Sequence, residues 1–141
     1  MSEVKKFEII LEYIKDLSIE TPSAEALRFV RENFTNYNMD IDISSSILQN
    51  KALEIITRLT LQDKTDNSEK AFFEIKYATI ITLDKSIKDK QTVSKIVLCD
   101  LQKIIYPKLE KIFLDIIKNA GYPGLKFEKK VDFEKLYNDK F

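Results

Sequence analysis

The chain has 141 residues, 44% of them hydrophobic, and its 23 basic and 23 acidic side chains cancel to a formal net charge of zero. This length supports one domain with one core, at residues 1–141, and the balanced charge gives no bulk attraction to nucleic acid or an anionic membrane. Histidine is absent, and the sequence has one cysteine and two glycines. We therefore expect no catalytic residues, no metal site and no cofactor, and the protein is not predicted to be an enzyme.

The cysteine content and the hydropathy pattern indicate where the protein works. Cys99 has no partner for a disulfide within the chain, which favours a reducing compartment. Charged and apolar residues alternate at the start of the chain, unlike a secretory signal. No segment has the roughly 20 apolar residues needed to cross a bilayer. The sequence thus predicts a cytoplasmic location and no integral membrane segment.

The first predicted element is a two-faced strand from Phe7 to Glu20, which ends at the turn Thr21-Pro22-Ser23. With a side-chain period of two, one face is apolar and the other is mainly acidic. The apolar face carries Phe7, Ile9, Leu11, Tyr13, Leu17 and Ile19, and the other face carries Glu8, Glu12, Asp16, Ser18 and Glu20. We expect the first face to enter the core and the second to lie at the surface.

Three more strands are predicted after a short helix or structured crossover at residues 24–34. They cover residues 39–44, 52–62 and 72–83, each with alternating sides, and a polar turn at residues 63–70 joins the last two. Short links without helices favour an antiparallel sheet.

A long amphipathic helix is predicted from Thr92, because apolar residues then recur every three or four positions. Pro107 is expected to kink or split this helix, and Gly121 is expected to follow its C-terminus. A last short helix, capped by Asp132, is predicted at residues 131–137. The predicted fold class is therefore α+β, a four-stranded antiparallel sheet with a long, Pro-interrupted C-terminal helix packed on one face.

Three separated blocks of the sequence match the pattern of one known protein family. The first, FEIILEYIKDLSIETPSA, has a tyrosine, a Lys-Asp pair and an acidic-x-Pro turn. The second covers the remaining strands and comprises MDIDIS, LEIITRLTLQ and AFFEIKYATIITL. The third has a Tyr-Pro helix element and a closing segment, and comprises IIYPKLEKI and AGYPGLKFEKKVDFEKLY. In these motifs and their order, over nearly the whole chain, the sequence resembles the SecB family of protein-export chaperones.

The resemblance implies a function as well as a fold. Family members are holdase chaperones that bind unfolded precursor proteins without ATP and deliver them to the SecA motor ATPase. They are homotetramers, in which two dimers meet through their long helices. The resemblance implies the same partners here, and no nucleic acid.

The resemblance also assigns site residues. Asp16, Glu20 and Glu74 match acidic positions through which family members bind SecA, and Phe34 and Tyr122 match aromatic positions that contact clients. Without the resemblance, the carboxylates would be an ordinary solvated sheet face and the aromatics ordinary packing residues.

Two departures from the family pattern keep an alternative open. Asp100 follows Cys99 where the family usually has proline, and the sequence stops at Phe141 without the acidic tail that makes a second, zinc-dependent SecA contact in many members. The alternative is a dedicated SecB-like chaperone of a single partner, such as an antitoxin, without a general export role. An enzyme or small-ligand protein on the same fold has little support in the sequence.

Overall fold

The structure is a computed structural model that describes residues 6–34, 37–63, 70–127 and 131–140, without the side chain of Lys140. It contains four strands and four α-helices, with a π-helical turn between α2 and α3. The strands are β1 (Phe7–Glu20), β2 (Tyr37–Ile47), β3 (Leu53–Asp63) and β4 (Phe72–Leu83). The helices are α1 (Ala24–Glu32), α2 (Lys90–Lys95), α3 (Leu101–Asn119) and α4 (Phe133–Lys140), and the π-helical turn is Ile96–Asp100. The predicted α+β fold is confirmed.

The four strands form one antiparallel sheet in the order β1-β4-β3-β2. The crossover through α1 carries the chain from one edge of the sheet to the other, so β1 and β2 are both edge strands. One side of the sheet, the helix face, packs against the helices, and we call the opposite side the outer face. Most of the predicted turn at residues 63–70 lies outside the described residues.

The core lies between the helix face of the central strands and α3. The side chains that meet there are fully buried and include Ile55, Leu59, Phe73, Ile75, Ile81, Ile105, Leu109, Phe113 and Ile117. Their spacing is two along the strands and three or four along the helix, as predicted from the sequence. Burying each such side chain stabilises the fold by roughly 1.5–3 kcal/mol.

Pro107 lies inside α3, and the predicted split of the helix at this residue is not observed. Proline removes one helical hydrogen bond, the one to the carbonyl of Lys103. Both residues are on the exposed side of the helix, where water can satisfy that carbonyl. The buried residues Ile105 and Leu109 on either side hold the helix against the sheet.

The irregular part of the helical layer is instead the π-helical turn before α3. Gln102 is fully buried, and its amide donates a hydrogen bond to the carbonyl of Val97 within this turn, at 3.2 Å. The hydroxyl of Thr57 on β3 donates to the Gln102 carbonyl oxygen at 3.1 Å. A buried side chain thus anchors the turn to the sheet.

Both predicted helix ends near the C-terminus are confirmed. Gly121 has a φ of 115°, and a side chain there would also meet Leu27 of α1 at 3.0 Å. The backbone N–H of Tyr122 bonds the carbonyl of Ile117, which is the pattern of a Schellman motif. Asp132 accepts a hydrogen bond from the N–H of Lys135 and caps α4.

Candidate functional site

Strand β1 contains two β-bulges that change which side chains face the helices. Its pairing with β4 slips between Ile9 and Leu11 and again between Ile14 and Asp16, so Ile10 and Lys15 are extra residues. Each extra residue moves the residues after it to the opposite face. The second bulge reverses the effect of the first, so only the middle of the strand is inverted.

The predicted faces of β1 are therefore right at both ends and wrong in the middle. Leu11 and Tyr13, predicted to enter the core, lie opposite Ile80 and Ala78 on the outer face. Glu12, predicted to lie on the acidic outer surface, faces the helices instead. A period of two read from the sequence does not reveal a bulge, because the extra residue is recognised only from the pairing of the strand with its neighbour.

Glu12 connects β1 to the helical layer. Its carboxylate lies 2.9 Å from the ammonium group of Lys108 on α3, and it accepts a hydrogen bond from the Tyr77 hydroxyl at 3.1 Å. Burial raises the pKa of the Tyr77 hydroxyl, and the Glu12 charge raises it further. This carboxylate is committed to an internal contact and does not belong to the outer surface.

Glu54 is held on the outer face by Tyr13 of the inverted segment of β1 and by Lys15 of the second bulge. The Lys15 ammonium group donates to its carboxylate at 2.7 Å, and the Tyr13 hydroxyl donates to its other oxygen. Glu54 is 9% exposed. The hydrogen bonds from Lys15 and then Tyr13 hold the pKa of this carboxyl below its ordinary value, and the bond to Glu54 raises the pKa of Lys15. This network fixes the edge strand to β3.

The predicted acidic residues lie at one end of the outer face. Asp16 and Glu20 are exposed on β1, and Glu74 on the neighbouring β4 lies directly opposite Ser18, midway between them. The hydroxyl of Thr60 donates to Glu74 at 3.2 Å. The structure therefore brings all three residues to one surface, while their role in binding remains a prediction.

Sequence reasoning missed the contribution of β2 to this surface. Asp40 and Asp42 lie on the outer face, opposite Thr60 and Arg58 of β3. Their alternation with apolar residues in MDIDIS was the signal that places them there. The carboxylates of the outer face thus extend from one edge of the sheet to the other.

The two predicted client-binding aromatics pack against each other in the core. The rings of Phe34 and Tyr122 are 5.7 Å apart, edge to face, and the Tyr122 ring also lies 5.0 Å from Phe73. Tyr122 is 1% exposed, and its hydroxyl lies 2.6 Å from that of Thr21. Phe34 is half-buried. Their role in client binding remains a prediction, and for Tyr122 it requires the ring to be uncovered.

A small apolar groove of about 70 Å³ lies between β2, the π-helical turn and α4. It is lined by Ile41, Ile43, Leu98, Phe133, Leu136 and Tyr137. Leu136 is 46% exposed, although its neighbours are largely covered. Sequence reasoning missed this groove, because residues from three separated segments form it.

Exposed apolar side chains concentrate on β1. Five of the eight large hydrophobic residues that are exposed in the described ranges lie on this strand, namely Ile10, Leu11, Tyr13, Ile14 and Leu17. One more, Ile104, lies on α3 one turn before Lys108, the residue that reaches β1. Edge strands with unpaired backbone groups and apolar side chains favour association with another chain.

Within the described residues, no group of three or more potential metal ligands is present, and no helix is long and apolar enough to cross a membrane. Cys99 is fully buried, and burial raises the pKa of its thiol. None of these observations adds a chemical site to the surfaces described above.

The sequence was compared with protein families and with known relatives. The family described as preprotein translocase subunit SecB matches residues 1–141. The chain belongs to the SecB family. A relative from Pelagibacter ubique that carries the SecB protein-export name is 43% identical over 136 residues, which cover 96% of this chain and 97% of the relative.

More distant relatives have the same name. The protein-export protein SecB of Sphingopyxis alaskensis is 25% identical over 129 residues, covering 92% of this chain and 73% of the relative. The fold is similar to that of a SecB-like chaperone from Mycobacterium tuberculosis, solved with a peptide from an antitoxin. That comparison has a TM-score of 0.63 and 10% identity, and it covers 89% of this chain and 91% of the other. The SecB resemblance predicted from the three blocks is confirmed.

The Glu54 network gives a testable dependence of stability on pH. The pKa of Glu54 is lower in the folded state than its ordinary value of 4.5, so the ionised carboxylate stabilises the fold fully above about pH 4.5. This stabilisation is lost as the pH falls through the folded-state pKa. Glu54→Gln should therefore destabilise the protein near neutral pH. The difference in the free energy of unfolding between this variant and the unmodified chain, measured with urea, should be smaller at about pH 3 than at about pH 7.

The matched control is Glu8→Gln, which changes an exposed carboxylate on β1. It should leave stability nearly unchanged at either pH. A Glu54→Gln effect that is equally large at acid pH would show that the ion pair is not its source.

Proposed function

We propose that this SecB family member is an ATP-independent holdase, which binds unfolded precursor proteins and delivers them to a SecA-type motor ATPase. The observation that carries the proposal is the separation of two surfaces by the sheet. An apolar groove is formed on the helix face, and a group of carboxylates lies toward one end of the outer face. A chaperone with this arrangement can hold a client and dock on a motor at the same time.

Client binding is proposed for the groove between β2 and α4. Its lining is apolar and includes two aromatic rings, Phe133 and Tyr137, that offer contact area without sequence-specific hydrogen bonds. Such contacts suit unfolded segments of many sequences, because apolar burial is non-directional. Phe34 is a further candidate client contact, and Tyr122 would join it if the ring were uncovered.

Motor docking is proposed for the outer face at Asp16, Glu20 and Glu74. Exposed carboxylates steer association with a basic partner surface and set its orientation. Asp16 and Glu20 are exposed on the outer face, where a partner can approach them from above the sheet.

A homotetramer is proposed as the working assembly, with dimers formed through β1. This edge carries five exposed apolar residues, whereas the outer side of the opposite edge strand, β2, is polar. Ile104 places a further apolar residue on the exposed side of α3, which suits a second contact between helices. We propose that the assembly acts in the cytoplasm, where precursors are held before export.

The groove is tested with Leu136→Asp. We expect about fivefold weaker binding of a denatured precursor protein, because losing part of a leucine contact costs about 1 kcal/mol. Suppression of precursor aggregation, followed by light scattering without nucleotide, should fall in parallel.

The control for the groove is Ile47→Asp, which adds the same charge at a 78% exposed position outside the groove. It should behave like the unmodified protein. Equal client binding by all three proteins would rule out this groove as the binding site.

The docking face is tested with Asp16→Lys/Glu20→Lys. Reversing two exposed charges should weaken binding to purified SecA by about tenfold or more, with the largest effect at low salt. Client binding should not change.

The control, Glu32→Lys/Asp139→Lys, makes the same reversal at exposed positions of α1 and α4. Unchanged affinity of Asp16→Lys/Glu20→Lys for SecA would contradict the assignment of motor docking to this face.

The assembly is tested by measuring the mass of the protein in solution. The unmodified chain should have about four times the protomer mass of 16.5 kDa. Ile14→Lys should give smaller species, because it places a charge on the apolar edge of β1, while Ile47→Lys on the other edge strand should not. A monomer at every concentration of the unmodified chain would refute the proposed assembly.

A dedicated role for one partner is the alternative function. The SecB-like chaperone of Mycobacterium tuberculosis was solved with an antitoxin peptide, but 10% identity supports the shared fold alone. Relatives at higher identity carry protein-export names, which favours export. Client binding restricted to one protein, together with no SecA binding by the unmodified chain, would favour the alternative.

A further inference from the structure

Two cationic side chains lie directly opposite each other at the centre of the outer face. They are Arg58 on β3 and Lys76 on β4. Asp42 on β2 flanks Arg58, and Asp16 on β1 flanks Lys76, so the row across the sheet has the order acid, base, base, acid. Like charges opposite each other on neighbouring strands are destabilising.

The flanking aspartates neutralise this cation pair only in part. The Arg58 guanidinium lies 3.9 Å from the Asp42 carboxylate, and these side chains are 43% and 60% exposed. No ion pair among the described residues includes Lys76. Both cations are half-buried on the central strands, so their positions are set by the sheet and they remain available to an anionic group from outside.

The adjacent row on one side of the cation pair adds more carboxylate. It consists of Ser18, Glu74, Thr60 and Asp40, in order across the four strands. The outer face is therefore patterned, with the cation pair between two aspartates and with further carboxylates on one side of it, and is not a uniform acidic field.

We propose that the outer face binds a partner segment in which a carboxylate is flanked by lysine or arginine side chains. The partner's carboxylate lies between Arg58 and Lys76, and its cations contact Asp16 on the β1 side and Asp42 or Asp40 on the β2 side. The proposal rests on the proposed docking of a SecA-type motor at this face. It adds that recognition depends on the order of charges in the partner as well as on its net charge.

The change in partner affinity when a cation is removed distinguishes this arrangement from a simple acidic surface. Removing a cation makes the outer face more negative. If the face attracts a basic partner only through its net charge, removal strengthens binding. If Arg58 and Lys76 contact a carboxylate, removal weakens binding, because that carboxylate loses its partner.

The test measures the affinity of purified SecA for Arg58→Gln, Lys76→Gln and the double variant. Each single variant should bind about threefold more weakly, as expected for loss of a partly exposed ion pair, and the double variant more weakly still. The control Lys88→Gln removes an exposed cation before α2 and should bind like the unmodified chain. Thermal unfolding should show equal or higher stability in the single variants, because a like-charge contact has been removed.

The possible results of this test separate the charge-order proposal from the docking function. Unchanged or tighter SecA binding by Arg58→Gln and Lys76→Gln would overturn the charge-order proposal and leave the docking function standing. Failure of the unmodified chain to bind SecA would overturn the docking function itself, and this proposal with it. Weaker binding by stably folded variants would support both.

Discussion

The packing of α3 against the helix face of β3 and β4 is the contact on which the rest of the structure depends. The buried side chains of α3 cover the two central strands, and this leaves the outer face of the sheet open to solvent. The same packing keeps the helix continuous through the loss of a hydrogen bond at Pro107. Because burial of several side chains outweighs one missing bond, the proline is tolerated where local rules alone predict a break.

Regular periodicity made most of this fold predictable. The strands β3 and β4 pair without a register shift, and the capping residues Gly121 and Asp132 are local signals that act as expected. The inversion in the middle of β1 was not predictable, because a bulge is fixed by its pairing with β4 rather than by its own sequence. The Glu54 network and the role of Glu12 follow from that inversion, so they were missed as well.

The candidate site was predictable where its residues lie close together on one element and not where several elements meet. Asp16 and Glu20 belong to one strand, and the family motif located them. The groove requires Ile43, Leu98 and Leu136, which are distant in sequence and come together only through tertiary packing. Burial of Tyr122 likewise depends on its contacts with Phe34 and Phe73, which sequence position does not reveal.

The two bulges also bear on which strands can add to the open edge of the sheet. Extra residues at Ile10 and Lys15 interrupt the even row of backbone groups that an arbitrary extended segment needs for continuous pairing. A second copy of β1 carries the same two interruptions in mirrored order when it runs antiparallel. The irregularity thus disfavours continuous pairing of this edge with regular extended strands, which is the kind of pairing by which β-aggregates grow.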